Sequence, residues 1–190
     1  MTYNVRTYEF TAFTEADLLK DGDTNINRGD TFTMGTATTC FTVQDDDHSL
    51  SGDSYRNERS DDTSYQTANI EVNGQQVFSG AKIYAEKYWT LHGSDGRIYY
   101  MIEIEIPGDG APGTGDDFFT FYGDVPPAGV ELTVGSGGNV SSDWLDYRCL
   151  SAGLKWELDD TCTYTIEAED LEAWNFHTVH GDNASGNEQV

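Results

Sequence analysis

The chain has 190 residues, of which 34 are acidic and only 10 are Lys or Arg, for a formal net charge of −24 at neutral pH. A surface of that sign repels phosphate backbones and anionic headgroups, which excludes nucleic acid and leaves cations, neutral glycans and other protein subunits as partners, although excess acid also serves plain solubility in salty surroundings. Eleven Tyr, nine Phe and four Trp supply core bodies with little of the Leu, Met and Ala that long helices need, so an all-β architecture is expected; no apolar run reaches the ~18–20 residues of a membrane span, so no membrane insertion is expected.

The N-terminal "MTYNVRTYEF" lacks the apolar segment of a secretory signal, which points to synthesis in the cytoplasm without a cleavable signal peptide. It opens the first of a series of short alternating runs, expected as strands near 3–12, 30–34, 38–44, 66–72, 76–89, 97–106, 117–122 and 130–135. Between the first two, "TEADLLKDG" predicts a helical turn, with Thr14 as its cap and Asp17 at the matching position. Asn73-Gly74 and Asp95-Gly96 are hairpin signals with strand-like sequence on both sides, and together they predict a meander through residues 66–106. "PGDGAPGTGDD" is a Gly/Pro loop, "VPPAGVEL" a rigid lead-in to the next strand, and "SSDWLDYRCLSAG" a short helical turn with Ser142 as a cap candidate. The pattern predicts an antiparallel, jelly-roll-like β-sandwich over residues 1–150. Residues 151–190 read as a C-terminal β-hairpin extension and polar tail, suited to docking on neighbouring subunits.

Cys40, Cys149 and Cys162 are too few for a disulfide framework; one bridge, such as Cys149 to Cys162, and three buried thiols are both compatible with the spacing. The acidic loop "VQDDDHSLSGD" and the following "NERSDD" offer Asp45, Asp47, Asp53 and Asp61 as possible calcium ligands, since Ca²⁺ takes six to eight oxygens and tolerates irregular loops. The spacing is not that of an EF-hand, because Arg56 stands where the bidentate Glu belongs, and solvated carboxylates paired with Arg56 and Arg59 are the competing reading. Arg28-Gly29-Asp30 spells an adhesion tripeptide that is also an ordinary turn into a strand. Tyr84, Tyr88, Trp89 and Tyr99 crowd one hairpin as a candidate partner-binding surface, and Trp156, Trp174 and Phe176 are the candidates in the extension; core packing competes for the hairpin set.

In "YYMIEIEIPGDG", Glu103 and Glu105 share one face of a strand and lie ~6.5–7 Å apart, a separation that two-carboxylate glycosidases also use. The phrase is superficially similar to the E-x-D-x-E strand of laminarinase- and lichenase-type sandwich hydrolases, but Met101 and Pro107 stand where a third acid would be. The expected role of the pair is therefore the wet face of a half-buried sheet. No Ser elbow, P-loop, dinucleotide fingerprint or Cys-x-x-Cys is present, and His177 and His180 fall on opposite sides of an expected strand.

"TYNVRTYEFTAF", "FTVQDDDHSLSGDSYRNERSDDTSYQTANIEVNG", "KIYAEKYW", "YYMIEIE" and "FTFYGDVPPAGVELTV", followed by "WLDYRCL", together resemble the domain that precedes the Hint (hedgehog/intein-type) autoprocessing domain in secreted proteins of marine alphaproteobacteria. The resemblance covers roughly residues 1–150 and implies an extracytoplasmic β-module associated with signal-less secretion, with no established activity. Nothing after Cys149 matches the "CF-x-x-GT"-like opening of a Hint domain, so self-splicing is not expected. The expectation is a non-enzymatic structural or attachment protein, foremost a phage virion component of a marine bacterium's phage. The alternatives are a secreted calcium-dependent glycan- or cell-surface-binding module and, third, a sandwich-type glycoside hydrolase using Glu103 and Glu105.

Overall fold

A computed structural model describes residues 5–18, 26–52, 66–106, 117–140 and 145–150. The elements in order are β1 (Arg6–Thr14), α1 (Glu15–Leu18), β2 (Thr31–Thr33), β3 (Thr39–Asp45), β4 (Ser49–Leu50), β5 (Thr67–Val72), β6 (Gln75–Lys82), β7 (Tyr84–Gly93), β8 (Ile98–Glu105), β9 (Phe118–Tyr122), β10 (Glu131–Asn139) and β11 (Leu145–Asp146), followed by a 3₁₀ turn over Tyr147–Cys149. Nine strands form one hydrogen-bonded ribbon in the order β2-β10-β7-β8-β9-β1-β3-β5-β6, and β4 and β11 form a small second pair. Every pairing between these strands is antiparallel. The ribbon folds over at β1: residues Arg6 to Ala12 pair with β3, while Phe13 and Thr14 pair with β9. The result is the expected all-β sandwich, with β1 shared between a smaller sheet (β1, β3, β5, β6) and a larger one (β2, β10, β7, β8, β9, β1).

The two sheets close on one aromatic and aliphatic core. Phe10, Phe41, Val43 and Ile70 of the smaller sheet face Ala85, Tyr88, Tyr100, Ile102, Ile104, Phe118 and Tyr122 of the larger. Phe41 meets Phe118 edge to face across the gap at 5.3 Å. At roughly 1.5–3 kcal/mol for each fully buried side chain, this layer is the main stabilising term. The smaller sheet follows simple alternation: along β3, Thr39, Phe41, Val43 and Asp45 are buried and Cys40 and Gln44 are exposed.

The larger sheet departs from that pattern. Six successive residues of β8, Tyr99 to Ile104, are buried, as are all five of β9. A second apolar layer covers the outer face of this sheet, where Leu91, Tyr99, Met101, Phe119, Phe121, Leu132 and Val134 pack beneath Phe13, Leu18, Ile26 and Met34. At the edge of this layer Glu103, flanked across the strands by Phe119 and Lys87, is 5 % exposed, which corrects the expected wet face. Alternation identified which residues share the face, but the covering segments come from elsewhere in the chain.

The turns follow their sequence signals. Asn73 (φ 52°) and Gly74 (φ 76°) form the two-residue hairpin between β5 and β6, and Gly96 (φ 84°) closes the β7–β8 turn. The expected single strand over 76–89, and with it the continuous meander, is corrected at Ile83. There the chain leaves the edge of the smaller sheet as β6 and enters the larger as β7. The crossover is fixed by Gln66, wholly buried, whose side chain accepts from the Ser51 amide (2.8 Å) and donates to the Ile83 carbonyl (2.6 Å). Asp17 reaches back to the Thr14 amide and hydroxyl at 2.9 Å each, as the cap reading anticipates. The 3₁₀ turn is capped by Asp146 rather than Ser142, which lies outside the described residues, as does the extension 151–190. Among the described residues no helix is long and apolar enough to cross a membrane.

Candidate functional site

The second apolar layer stops short of one end of the larger sheet's outer face, and there the side chains turn polar. In β7, Ala85 pairs with Ile104 and the next paired residue is Lys87, opposite Glu103, so Glu86 is the extra residue of a β-bulge. The bulge brings two consecutive side chains into reach of Glu103. The Lys87 ammonium lies 3.2 Å from Glu103 Oε1 and 3.1 Å from Glu86 Oε1. Asp117, two residues ahead of Phe119, completes the group, because Phe119 pairs with Glu103. Glu86, Glu103 and Asp117 each place a carboxylate oxygen within 4.8 Å of the others.

Trp89 forms the neighbouring wall. Its indole Nε1–H donates to Glu103 Oε2 at 2.9 Å, and its ring lies against the backbone of Gly137, the residue paired with it on β10. A Cβ at Gly137 would stand 2.6 Å from Trp89 Cε3, so the glycine is required for the ring to lie there. Trp89, Lys87, Glu86, Glu105 and Asp117 are all half-buried. Together they form a shelf: an indole, an ammonium and four carboxyls, with Glu103 as its buried floor.

Burial pushes the Glu103 carboxyl up to about 7, the indole hydrogen bond and the Lys87 charge opposing and the Glu86 and Asp117 charges adding to the rise. Glu86 is shifted the other way: burial raises it, but hydrogen bonds with the Glu105 carboxyl and Lys87 outweigh that and hold it below the usual range. Lys87 is weakened as a cation by burial, yet the flanking Glu103 and Glu86 carboxylates hold its pKa above the ordinary lysine value. Three clustered carboxylates are a partial ligand set for a hard cation, which needs six or more oxygens. Here the Lys87 ammonium already sits among the Glu86 and Glu103 oxygens as the resident cation. The chemistry open to the shelf is acceptance of hydroxyl hydrogen bonds, stacking on an indole, and exchange of the Glu103 proton.

The other expected site residues fall differently. Tyr88 and Tyr99 are 7 % and 1 % exposed and belong to the two core layers, so they are removed from any exposed aromatic surface; Trp89 and Tyr84 remain half-buried. Tyr99 donates its hydroxyl to Asp95 at 2.5 Å, satisfying its polar end beside the β7–β8 turn. Of the acidic loop, Asp45 is wholly buried and accepts from the Tyr147 hydroxyl at 2.6 Å, and Asp47 accepts the Ser49 amide at 2.7 Å. Their carboxylates are engaged by protein donors, and Asp53 and Asp61 lie outside the described residues, as do Trp156, Trp174, Phe176 and Cys162. Cys40 is exposed and Cys149 buried. Arg28-Gly29-Asp30 is the turn into β2, tied to β10 by Gly29 N–Val134 O at 2.8 Å and Val134 N–Asp30 O at 2.9 Å.

Sequence reading singled out Trp89, Glu103 and Glu105 but missed Glu86, Lys87 and Asp117. Lys87 was within reach: counting back through the turn from the Ile98–His92 pair places it directly opposite Glu103, before the bulge at Glu86 is met. Comparison of the chain with protein-family models, with curated proteins and with solved structures finds no match.

Proposed function

We propose that this chain is a non-enzymatic attachment module that binds a neutral glycan on the Trp89 shelf. The observation that carries the reading is the pairing of an indole laid on Gly137 with carboxyls from three strand ends around it. Sugar rings present an apolar C–H face, which packs on an indole, and a rim of hydroxyls, which donate to carboxylates; a neutral sugar also avoids the repulsion that a chain of charge −24 imposes on polyanions. A setting outside the cytoplasm, in a phage virion or as a secreted surface protein, accords with the sequence resemblance and the acidic surface. In the virion setting the extension 151–190 would dock on neighbouring subunits. The test is a glycan array probed with the wild-type chain and with Trp89→Ala. Retention of neutral oligosaccharides by the wild type, lost in a variant that still melts cooperatively, is the expected result; a blank array, or equal retention by both, overturns the reading.

A second reading has its own observation. Glu103 is pushed up to about 7 while Glu86 is held low, with their oxygens within 4.8 Å, and two carboxyls driven apart in this way are the acid and ionised partner of glycoside hydrolysis. In that case Glu103 protonates the leaving oxygen and an ionised neighbour attacks or activates water. Release of reducing ends from a bound glycan, abolished by Glu103→Gln, would replace the attachment reading with this one.

A further inference from the structure

The Trp89 shelf holds more carboxyls than cations. The titratable groups around Glu103 are Glu86 and Lys87 from β7, Glu105 two places along its own strand, and Asp117 just ahead of β9. β9 itself sets the apolar Phe119 opposite Glu103, and β10 contributes the uncharged Asn139 opposite Lys87. Among the described residues Lys87 is the one cation paired with this group.

Both Glu103 oxygens are engaged from within the protein: Oε1 accepts from Lys87 at 3.2 Å and Oε2 from the Trp89 indole at 2.9 Å. Glu86 shares the same ammonium at 3.1 Å and is hydrogen-bonded to the Glu105 carboxyl, a contact that needs a proton on one of the two. With oxygens of Glu86, Glu103 and Asp117 all within 4.8 Å of one another, the group cannot ionise in full without leaving like charges side by side. A sugar ring stacked on Trp89 sharpens that conflict. It displaces the water over the shelf, and passing from bulk water to the effective dielectric of a protein surface strengthens each repulsion about fourfold. Sugar hydroxyls relieve the half-buried carboxylates at the rim by donating to them. Glu103, buried and already accepting at both oxygens, gains from the ligand only the loss of water, and a proton is the relief left to it.

We infer that the shelf takes up a proton on Glu103 together with its glycan, so that a neutral sugar is held more tightly in mildly acidic surroundings than in alkaline ones. The inference rests on the attachment reading and adds the regulation of that same site. Burial holds the Glu103 proton to about 7 in the free chain, and covering the shelf raises that value further. Below about 7 the free and bound states both carry the proton and affinity is flat. Above it binding requires uptake, and affinity falls as pH rises through the bound-state value. A neutral sugar has no group that titrates in this range, so the dependence belongs to the protein.

The test is isothermal titration calorimetry of the full chain with cellohexaose, laminarihexaose and mannohexaose from about pH 6 to about pH 9, repeated near pH 8 in phosphate and in Tris, whose ionisation enthalpies differ. A cooperative melt at each pH shows that the fold is intact. Wild-type affinity for the hexasaccharide that binds is expected to be about tenfold weaker at the alkaline end, the worth of one pKa unit, with a heat that differs between the two buffers in the sense of proton uptake. Glu103→Gln stays neutral at every pH and is expected to give a flat affinity profile and a heat that does not depend on the buffer. Should that variant fail to melt cooperatively, the wild-type buffer comparison decides alone. Wild-type binding with a flat profile and equal heats overturns the inference and leaves the attachment reading standing. The same pH dependence in Glu103→Gln places the proton elsewhere and also overturns it, whereas no binding by any of the three sugars at any pH removes the attachment reading and the inference with it.

Discussion

Replacing Glu103 by Gln isolates the most perturbed carboxyl of the shelf. In the unfolded chain this group loses its proton near the ordinary glutamate value of 4.5, whereas in the fold burial holds the proton to about 7. Between those values the native state binds a proton that the unfolded state does not, so stability falls as pH rises through the window. It is fully present below about 4.5 and lost above about 7. At about 1.4 kcal/mol per pH unit the window is worth about 3 kcal/mol, and because the side chain is 5 % exposed little of that is screened by solvent. Gln keeps the oxygen that accepts from Trp89 and cannot ionise. Urea unfolding of both proteins from pH 4.5 to 8 is therefore expected to give a wild-type stability that declines relative to Glu103→Gln by about 2–3 kcal/mol across that range. Parallel pH profiles would refute the assignment of the retained proton to Glu103.

Gly137→Ala places a methyl 2.6 Å from the Trp89 ring and 2.7 Å from the Tyr88 carbonyl, and is expected to cost about 1–3 kcal/mol in chemical denaturation and to weaken glycan retention. Gln66→Ala strips partners from the Ser51 amide and the Ile83 carbonyl at the crossover between sheets, for an expected loss of about 2–4 kcal/mol in the same assay. Tyr147→Phe removes the hydroxyl that offsets the burial of Asp45, whose pKa is already raised by desolvation. The variant is expected to lose about 1–3 kcal/mol at pH 8 and less at pH 4, where the carboxyl takes a proton instead.

Much of the sandwich is written in local signals. The turns at Asn73-Gly74 and Asp95-Gly96 and the reach of Asp17 to Thr14 follow from residue chemistry a few positions apart. The break at Ile83 does not, because the run from Gln75 to Gly93 carries no Pro and its turning point is imposed by Gln66, seventeen residues away. Glu103 shows the same limit. Its neighbours on the strand face were legible from alternation, but its burial depends on Phe119, Lys87 and Trp89 of the adjoining strands, which no pattern in "YYMIEIE" encodes. The shelf was legible only in part for a related reason: a β-bulge at Glu86 and the register of β9 bring Glu86 and Asp117 to Glu103, and neither is signalled by residue type.

The attachment reading turns on where a neutral glycan sits. Wild-type chain labelled with ¹⁵N gives four indole resonances, one per Trp, and comparison with Trp89→Phe assigns that of Trp89. Titration with a neutral oligosaccharide retained on the array should move the Trp89 Nε1–H signal saturably, since that proton lies on Glu103 at the centre of the shelf. Saturable binding that leaves the Trp89 signal in place while another indole moves would put the ligand elsewhere and contradict the proposal.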